Sequence, residues 1–306
     1  MKKYLPYLAG ITYSSIFGFS FLFTKECLER VDPFQLLAYR FSLAALTLTL
    51  LYIFKIIKLN FSGKKIGLLF LLAVIQPGLY FVSETIGISL TNSSEAGLMI
   101  ALIPIVVTIL AAFMLGEKPG RIQTFFIVLS VAGVFLIVLL KGQGGLTTNY
   151  LGLAYLFAAV LMASLYNILS RKLSLSFKPL EITFIMMWTG AILFNLLFFF
   201  TSGFNLNQYL APFNNNKILM AVLYLGVFSS VIAFFLVNYT LAKIKAAQSS
   251  VFANLTTIIA ILAGVFFRGE SFYWFQLIGG LMIISGVWGT NYYSLNSKKS
   301  VQDDLH

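Results

Sequence analysis

The sequence predicts an all-α polytopic membrane protein with ten transmembrane helices, arranged as two inverted five-helix repeats. Three observations carry this. Of 306 residues, 59% are hydrophobic and only 10% are charged, with a mean hydropathy of +0.91; soluble domains carry about 25% charged residues. Apolar runs of roughly 20 residues recur along the whole chain, each long enough to cross a ~30 Å hydrocarbon core at ~1.5 Å per residue. The two halves of the chain also resemble one another at a near-constant offset.

The first run follows Lys2 and Lys3 and continues to about Leu28 with no small-residue cleavage site, so 4–28 reads as a retained span. VDP at 31–33 separates it from a second span, 33–54. LNFSGKK at 59–65 precedes the third, 66–90, and GEKPG at 116–120 divides the fourth, 94–115, from the fifth, 119–140. After KGQGG at 141–145 come spans at 150–172 and 179–201, the Asn-rich loop NLNQYLAPFNNN at 205–216, and spans at 217–242, 246–267 and 271–293. The chain thus divides into a first repeat, 1–145, a second, 146–293, and a polar tail, 294–306, read as disordered and cytoplasmic.

A net charge of +11 raises the question of nucleic acid, but the basic residues are scattered through short loops and form no continuous phosphate-reading face. Positive-inside topology accounts for the excess. With both termini cytoplasmic, inner ends hold Lys2, Lys3, Lys55, Lys58, Lys64, Lys65, Lys118, Arg121, Arg171, Lys172, Lys178, Lys243, Lys245, Lys298 and Lys299, fifteen of the 21 Lys and Arg residues.

The internal repeat is direct. Residues 97–133 slide onto 250–286 at an offset of 153, pairing Phe113 with Phe266, Gly116–Glu117 with Gly269–Glu270, Gln123 with Gln276 and Gly133 with Gly286. At an offset of 146, Tyr4–Leu5 meets Tyr150–Leu151, Lys25 meets Arg171 and Pro33 meets Pro179; the change falls in the loop after the seventh span. Five spans per repeat is an odd number, so the second copy enters the membrane upside down, a construction found in secondary transporters.

On these residues the chain resembles the drug/metabolite transporter superfamily, of the EamA-domain type, over essentially its whole length. The carrying stretches are SSIFGFSFLFTK (14–25), DPFQLLAYRFSLAAL (32–46), SLTNSSEAGLMIALIPIVVTILAAFMLGEKP (89–119) and, more loosely, AAQSSVFANLTTIIAILAGVFFRGESF (246–272). In the ninth helix, where the family often has proline, this sequence has Thr257. The resemblance implies ten helices around a central cavity and movement of small organic solutes, commonly export. An exporter of amino acids or related metabolites leads. A multidrug or nucleotide-sugar type transporter is the alternative, followed by a passive channel. The composition, rich in Lys, Ile, Asn and Phe, suggests a bacterial chain and hence the cytoplasmic membrane.

Two charges stand out inside the spans. An acidic or basic side chain at the centre of a membrane helix costs roughly 2.5–3.5 kcal/mol, yet Arg40 and Glu84 sit in apolar runs. Arg40 lies seven residues inward from Pro33, and Glu84 six or seven inward from the end of the third span, so both lie about 10 Å below the outer boundary at ~1.5 Å per residue. Helices joined by a short loop are expected to pack side by side, which lets the two charges meet. Three readings stand: a structural ion pair, a cavity-lining pair that engages substrate charge, and a Glu84 proton carrier for coupled transport. A permanent Arg neighbour opposes the last by favouring the ionised carboxylate.

Softer signals surround them. Gln76, Pro77, Gly78 and Tyr80 mark a helix break, because Pro77 removes a backbone donor and frees a carbonyl; the break either faces the cavity, which makes Gln76 and Tyr80 candidate substrate contacts, or is a packing kink, and Pro104 reads the same way. Tyr166, Asn167, Asn195, Asn238 and Asn254 should face inward, since polar groups in lipid need partners; contact with substrate and contact with one another both remain open. Gly10, Ser14 and Gly18 form a small-residue face suited to close helix packing. Glu117 and Glu270 follow glycines at helix ends, where anchoring is expected.

No enzyme is predicted: HExxH, GxSxG and nucleotide-binding glycine loops are absent, and the only histidine is His306 in the tail. With Cys27 the only cysteine, neither a disulfide nor a Cys-cluster metal site is expected, and no cofactor is implied. The expected partners are a small-molecule substrate and the lipid bilayer.

Overall fold

The computed structural model describes residues 4–91, 96, 99–141, 149–203, 205–269 and 271–303. Among these there is helix but no strand, as backbone polar groups in an apolar chain require, because only intrasegment hydrogen bonds satisfy them in lipid. The long helices are α1 (Leu5–Leu28), α2 (Pro33–Ile53), α3 (Gly67–Leu90), α4 (Ile103–Met114), α5 (Arg121–Lys141), α6 (Tyr150–Leu173), α7 (Pro179–Ser202), α8 (Asn216–Lys243), α9 (Ala246–Arg268) and α10 (Trp274–Asp303). Eight of them, α1–α3 and α5–α9, are long and apolar enough to cross a membrane.

Local chemistry sets their ends. Pro33 and Pro179 each open a helix, where a missing N–H costs nothing. The Asp32 carboxylate accepts from the Phe34 and Gln35 amides at 2.8 and 3.3 Å, and Asn149 accepts from Gly152 N–H at 3.1 Å. Gly116 and Gly269 follow α4 and α9 with the same left-handed φ of +66°, which only glycine adopts cheaply. Two boundaries differ from the sequence expectation. Within the expected fourth span Ala96, Met99 and Ile100 are helical, Ala101–Leu102 form a turn, and regular α4 begins at Ile103, where Pro104 in the first turn has no N–H to continue the preceding helical ladder. At the other end, α10 runs to Asp303, past residue 293.

The packing is paired. α1 lies on α8 and α9, α6 on α3 and α4, α2 on α7, and α5 on α10. Shifting by half the chain exchanges the first two groupings and returns the last two to themselves. Equivalent residues share detail: Thr91 and Ile244 close α3 and α8 with extended backbone. Gln123 accepts from Gly120 N–H at 3.0 Å just as Gln276 accepts from Tyr273 N–H at 2.8 Å.

The small face of α1 is a packing face. A Cβ on Gly10 would lie 2.8 Å from the Phe252 ring and one on Gly18 2.5 Å from Ile259, while Ser14 donates to Phe252 O at 2.6 Å. Polarity runs opposite to that of a soluble fold: Phe113 and its repeat partner Phe266 are 84% and 78% exposed, whereas Asn238 is fully buried. Glu270, residues 142–145 of the KGQGG turn and His306 lie outside the described residues.

Candidate functional site

The first candidate site is built where both long interrupted helices widen. α3 is broken at Val74–Leu79, where Gln76 leaves helical geometry (φ −144°, ψ 118°) before a cis Pro77. α8 widens into a π-helical stretch over Tyr224–Ile232. At the repeat offset of 153, Gln76 and Pro77 correspond to Ser229 and Ser230.

Arg40, buried on α2, reaches those serines. Its Nε–H donates to Ser230 Oγ at 2.6 Å and one terminal nitrogen to Ser229 Oγ at 3.0 Å. Its guanidinium carbon lies 5.3 Å from the ring centroid of Phe81 and 5.6 Å from that of Phe41. Glu84 is one turn beyond Phe81 on α3. It is half-buried, and its Oε1 accepts the Tyr80 hydroxyl at 2.7 Å.

The expected Arg40–Glu84 ion pair is corrected: none joins them among the described residues. The assumption behind it was adjacency of α2 and α3. In the bundle α2 packs chiefly on α7 and α8, and α3 on α6 and α7. The nearest donors and acceptors are therefore hydroxyls, two from α8 for Arg40 and one from α3 itself for Glu84.

The second cluster is neutral. Asn238 Oδ1 accepts from Tyr166 Oη at 2.9 Å and Ser170 Oγ at 2.7 Å, and its Nδ2 donates to Thr183 Oγ1 at 3.0 Å and lies 3.7 Å from Met186 Sδ. Every hydrogen-bonding position of this amide is filled, which makes it a joint between α6, α7 and α8.

The other candidates separate. Asn254 Nδ2 donates to Ser130 Oγ at 3.0 Å, tying α9 to α5 away from Asn238. Asn167 returns to Ala163 O of its own helix at 2.8 Å. Asn195 bonds Ser42 on α2 and receives the Tyr209 hydroxyl. Gln76 is buried, and its Oε1 has no partner among the described residues. Pro104 starts α4, and its carbonyl accepts Thr108 Oγ1 at 2.7 Å.

Glu117 is an anchor. It pairs with Arg171 Nε at 3.0 Å and accepts Ala246 N–H at 2.8 Å, while Arg171 also donates to Leu241 O at 2.9 Å. Glu181, fully buried, holds Lys64 at 2.5 Å and the Lys178 and Asn60 amides. A cleft of about 570 Å³ opens at the end of the bundle that holds the start of α2, between Arg30 and Asp32 on one side and Asn214 and Asn215 on the other.

Sequence reading missed Ser229, Ser230, Ser170 and Thr183. The first two carried a signal: consecutive serines inside the apolar run YLGVFSSVI, in repeat register with Gln76–Pro77.

Comparison with known proteins agrees with this architecture. The EamA-like transporter family matches residues 5–139 and again 150–292. The uncharacterized transporter YcxC of Bacillus subtilis (strain 168) is 37% identical over 287 residues, covering 93% of this chain and 92% of its own. A probable terminal-alkyne amino-acid exporter of Streptantibioticus cattleyicolor is 26% identical over 208 residues, 68% of this chain and 67% of that one. A chain of known crystal structure superposes with a TM-score of 0.75 at 18% identity, covering 94% of this chain and 96% of that chain, which shows a shared fold. Matched twice along nearly its full length, the chain belongs to the EamA-like transporter family.

Proposed function

We propose that the chain is a secondary transporter that carries a small organic metabolite, an amino acid or related compound, out of the cell by alternating access. In this reading ten helices cross the cytoplasmic membrane as two inverted halves, both termini face the cytoplasm, and the substrate binds at the centre of the bundle. The observation that carries it is the Arg40–Tyr80–Glu84 cluster. Two opposite charges lie inside an apolar bundle without closing on each other, and intramembrane ionisable groups mark substrate pathways. The self-exchanging packing and the matched Gly116 and Gly269 turns support inverted halves. The Lys and Arg bias supports the orientation. The amino-acid exporter among its relatives supports the substrate class over drugs or nucleotide sugars.

The test is counterflow in liposomes holding the purified full-length protein. Preloaded amino acids should drive saturable uptake of the labelled compound from outside. Flux that rises linearly without exchange would identify a channel instead, and no exchange of any solute from a cell extract would sink the transport reading. Cysteines placed in 59–65 and in 205–216 should label from opposite faces; labelling from one face would overturn the ten-span arrangement.

A further inference from the structure

We infer that Arg40 and Glu84 form a split receptor for a zwitterion with an apolar side chain: Arg40 takes the carboxylate, Glu84 the ammonium group, and the rings of Tyr80 and Phe81 border the rest. This deepens the transport reading above and rests on it.

Arg40 has three nitrogens, and the serines of α8 hold two of them. The remaining terminal nitrogen has no partner among the described residues. Serine hydroxyls are neutral, so the positive charge stays uncompensated by contact. Glu84 repeats this with the opposite sign, since Tyr80 holds Oε1 and no described residue holds Oε2. Neither open atom is a sealed, unpartnered one: among the described residues, the buried side-chain atoms without partners are those of Gln76, Ser249, Thr290 and Asn291. The two groups are also close, because the Arg40 guanidinium rests on Phe81, one helical turn before Glu84.

A pair built only to cancel its own charge would close the guanidinium fork on the carboxylate. Here each charge is instead clamped by neutral hydroxyls on its own side, which fixes its direction and leaves one hydrogen-bonding position free. A ligand with a carboxylate and an ammonium on neighbouring atoms satisfies both positions at once. An amine or an acid alone leaves one of the two charges unanswered.

Competition against counterflow of the transported solute tests this with three probes of one shape: phenylalanine, phenethylamine, which lacks the carboxylate, and 3-phenylpropanoate, which lacks the amine. Phenylalanine should compete at least about tenfold better than either analogue, the expected cost of losing a charge-assisted hydrogen bond. Arg40→Gln should erase selection against phenethylamine while keeping selection against 3-phenylpropanoate, and Glu84→Gln should do the reverse. Ser229→Ala with Ser230→Ala retains both charges, so it serves if the charge variants do not fold; it should weaken selection against phenethylamine alone. Equal competition by all three probes, or loss of both selections in any one folded variant, would overturn the proposal. So would active exchange that phenylalanine does not touch, a result that leaves the transport reading standing. Absence of all exchange would instead defeat that reading.

Discussion

Arg40 and Met186 stand 146 residues apart, the offset that relates α2 to α7, and Thr85 and Asn238 stand 153 apart, the offset that relates α3 to α8. Arg40 and Met186 are equivalent in the repeat and opposite in chemistry, and Glu84 stands one residue before Thr85, the counterpart of Asn238. In the second half, Met186 faces an amide that accepts twice and donates to Thr183, so the cluster is neutral and complete. In the first half, a guanidinium and a carboxylate are each held by hydroxyls and each keep an open atom. A completed polar network ties helices together and has nothing left to offer a ligand; an incomplete charged one carries a desolvation cost that a ligand can relieve. Under the proposed function, the first-half cluster is the one that binds and the second the one that holds helices together.

The sharpest way to break this contrast is to make the first half resemble the second. Arg40→Met installs the residue found at the equivalent position and removes the charge. Transport should fall by at least about a hundredfold, as expected from losing a buried charged contact of roughly 3 kcal/mol, while the thermal unfolding midpoint stays close to that of the parent. Retained transport would remove Arg40 from the site.

The reciprocal change is Asn238→Leu. It strips Tyr166 and Ser170 of their acceptor and Thr183 of a donor, and should cost about 2–3 kcal/mol of stability. Thermal unfolding in detergent should show a clear drop, with the transport rate per folded molecule within about threefold of the parent, a change of well under 1 kcal/mol in barrier. A stable but inactive variant would move Asn238 into the binding site and dissolve the contrast.

The smallest effect is expected at Glu117→Gln. The Arg171 partner is partly exposed, and such pairs contribute about 1 kcal/mol or less. The Ala246 amide can still bond the neutral side chain. Stability should change little, and faster labelling of a cysteine placed near Leu241 would reveal looser closure at that end. Unchanged labelling would reduce Glu117 to a helix-end cap.

Much of the scaffold was legible because its signals are local. The break at Gln76–Pro77 follows from proline chemistry, the turns at Gly116 and Gly269 from glycine's tolerance of positive φ, and the caps at Asp32 and Asn149 from short polar side chains beside amides. That Arg40 and Glu84 lie near each other was also readable, from depth along two helices. Partner choice was not. Arg40 was matched to Glu84 by chain order, yet helices joined by a short loop need not be the closest neighbours in this bundle, and the hydroxyls of α8 reach it first. Asn238 and Asn254 look alike in sequence; one joins Tyr166 and Ser170, the other Ser130 on α5.

By itself, the sequence determined that the chain is a bundle of apolar helices repeated twice, where those helices break, and which few charges lie within them. Length, apolarity and backbone stereochemistry decide these matters residue by residue. Only the tertiary structure decided which polar groups meet. In helices that are apolar on every side, periodicity does not distinguish a lipid-facing stripe from an interior one, so the contacts depend on which faces the close packing of α2 with α7 and α8, and of α3 with α6 and α7, turns toward each other.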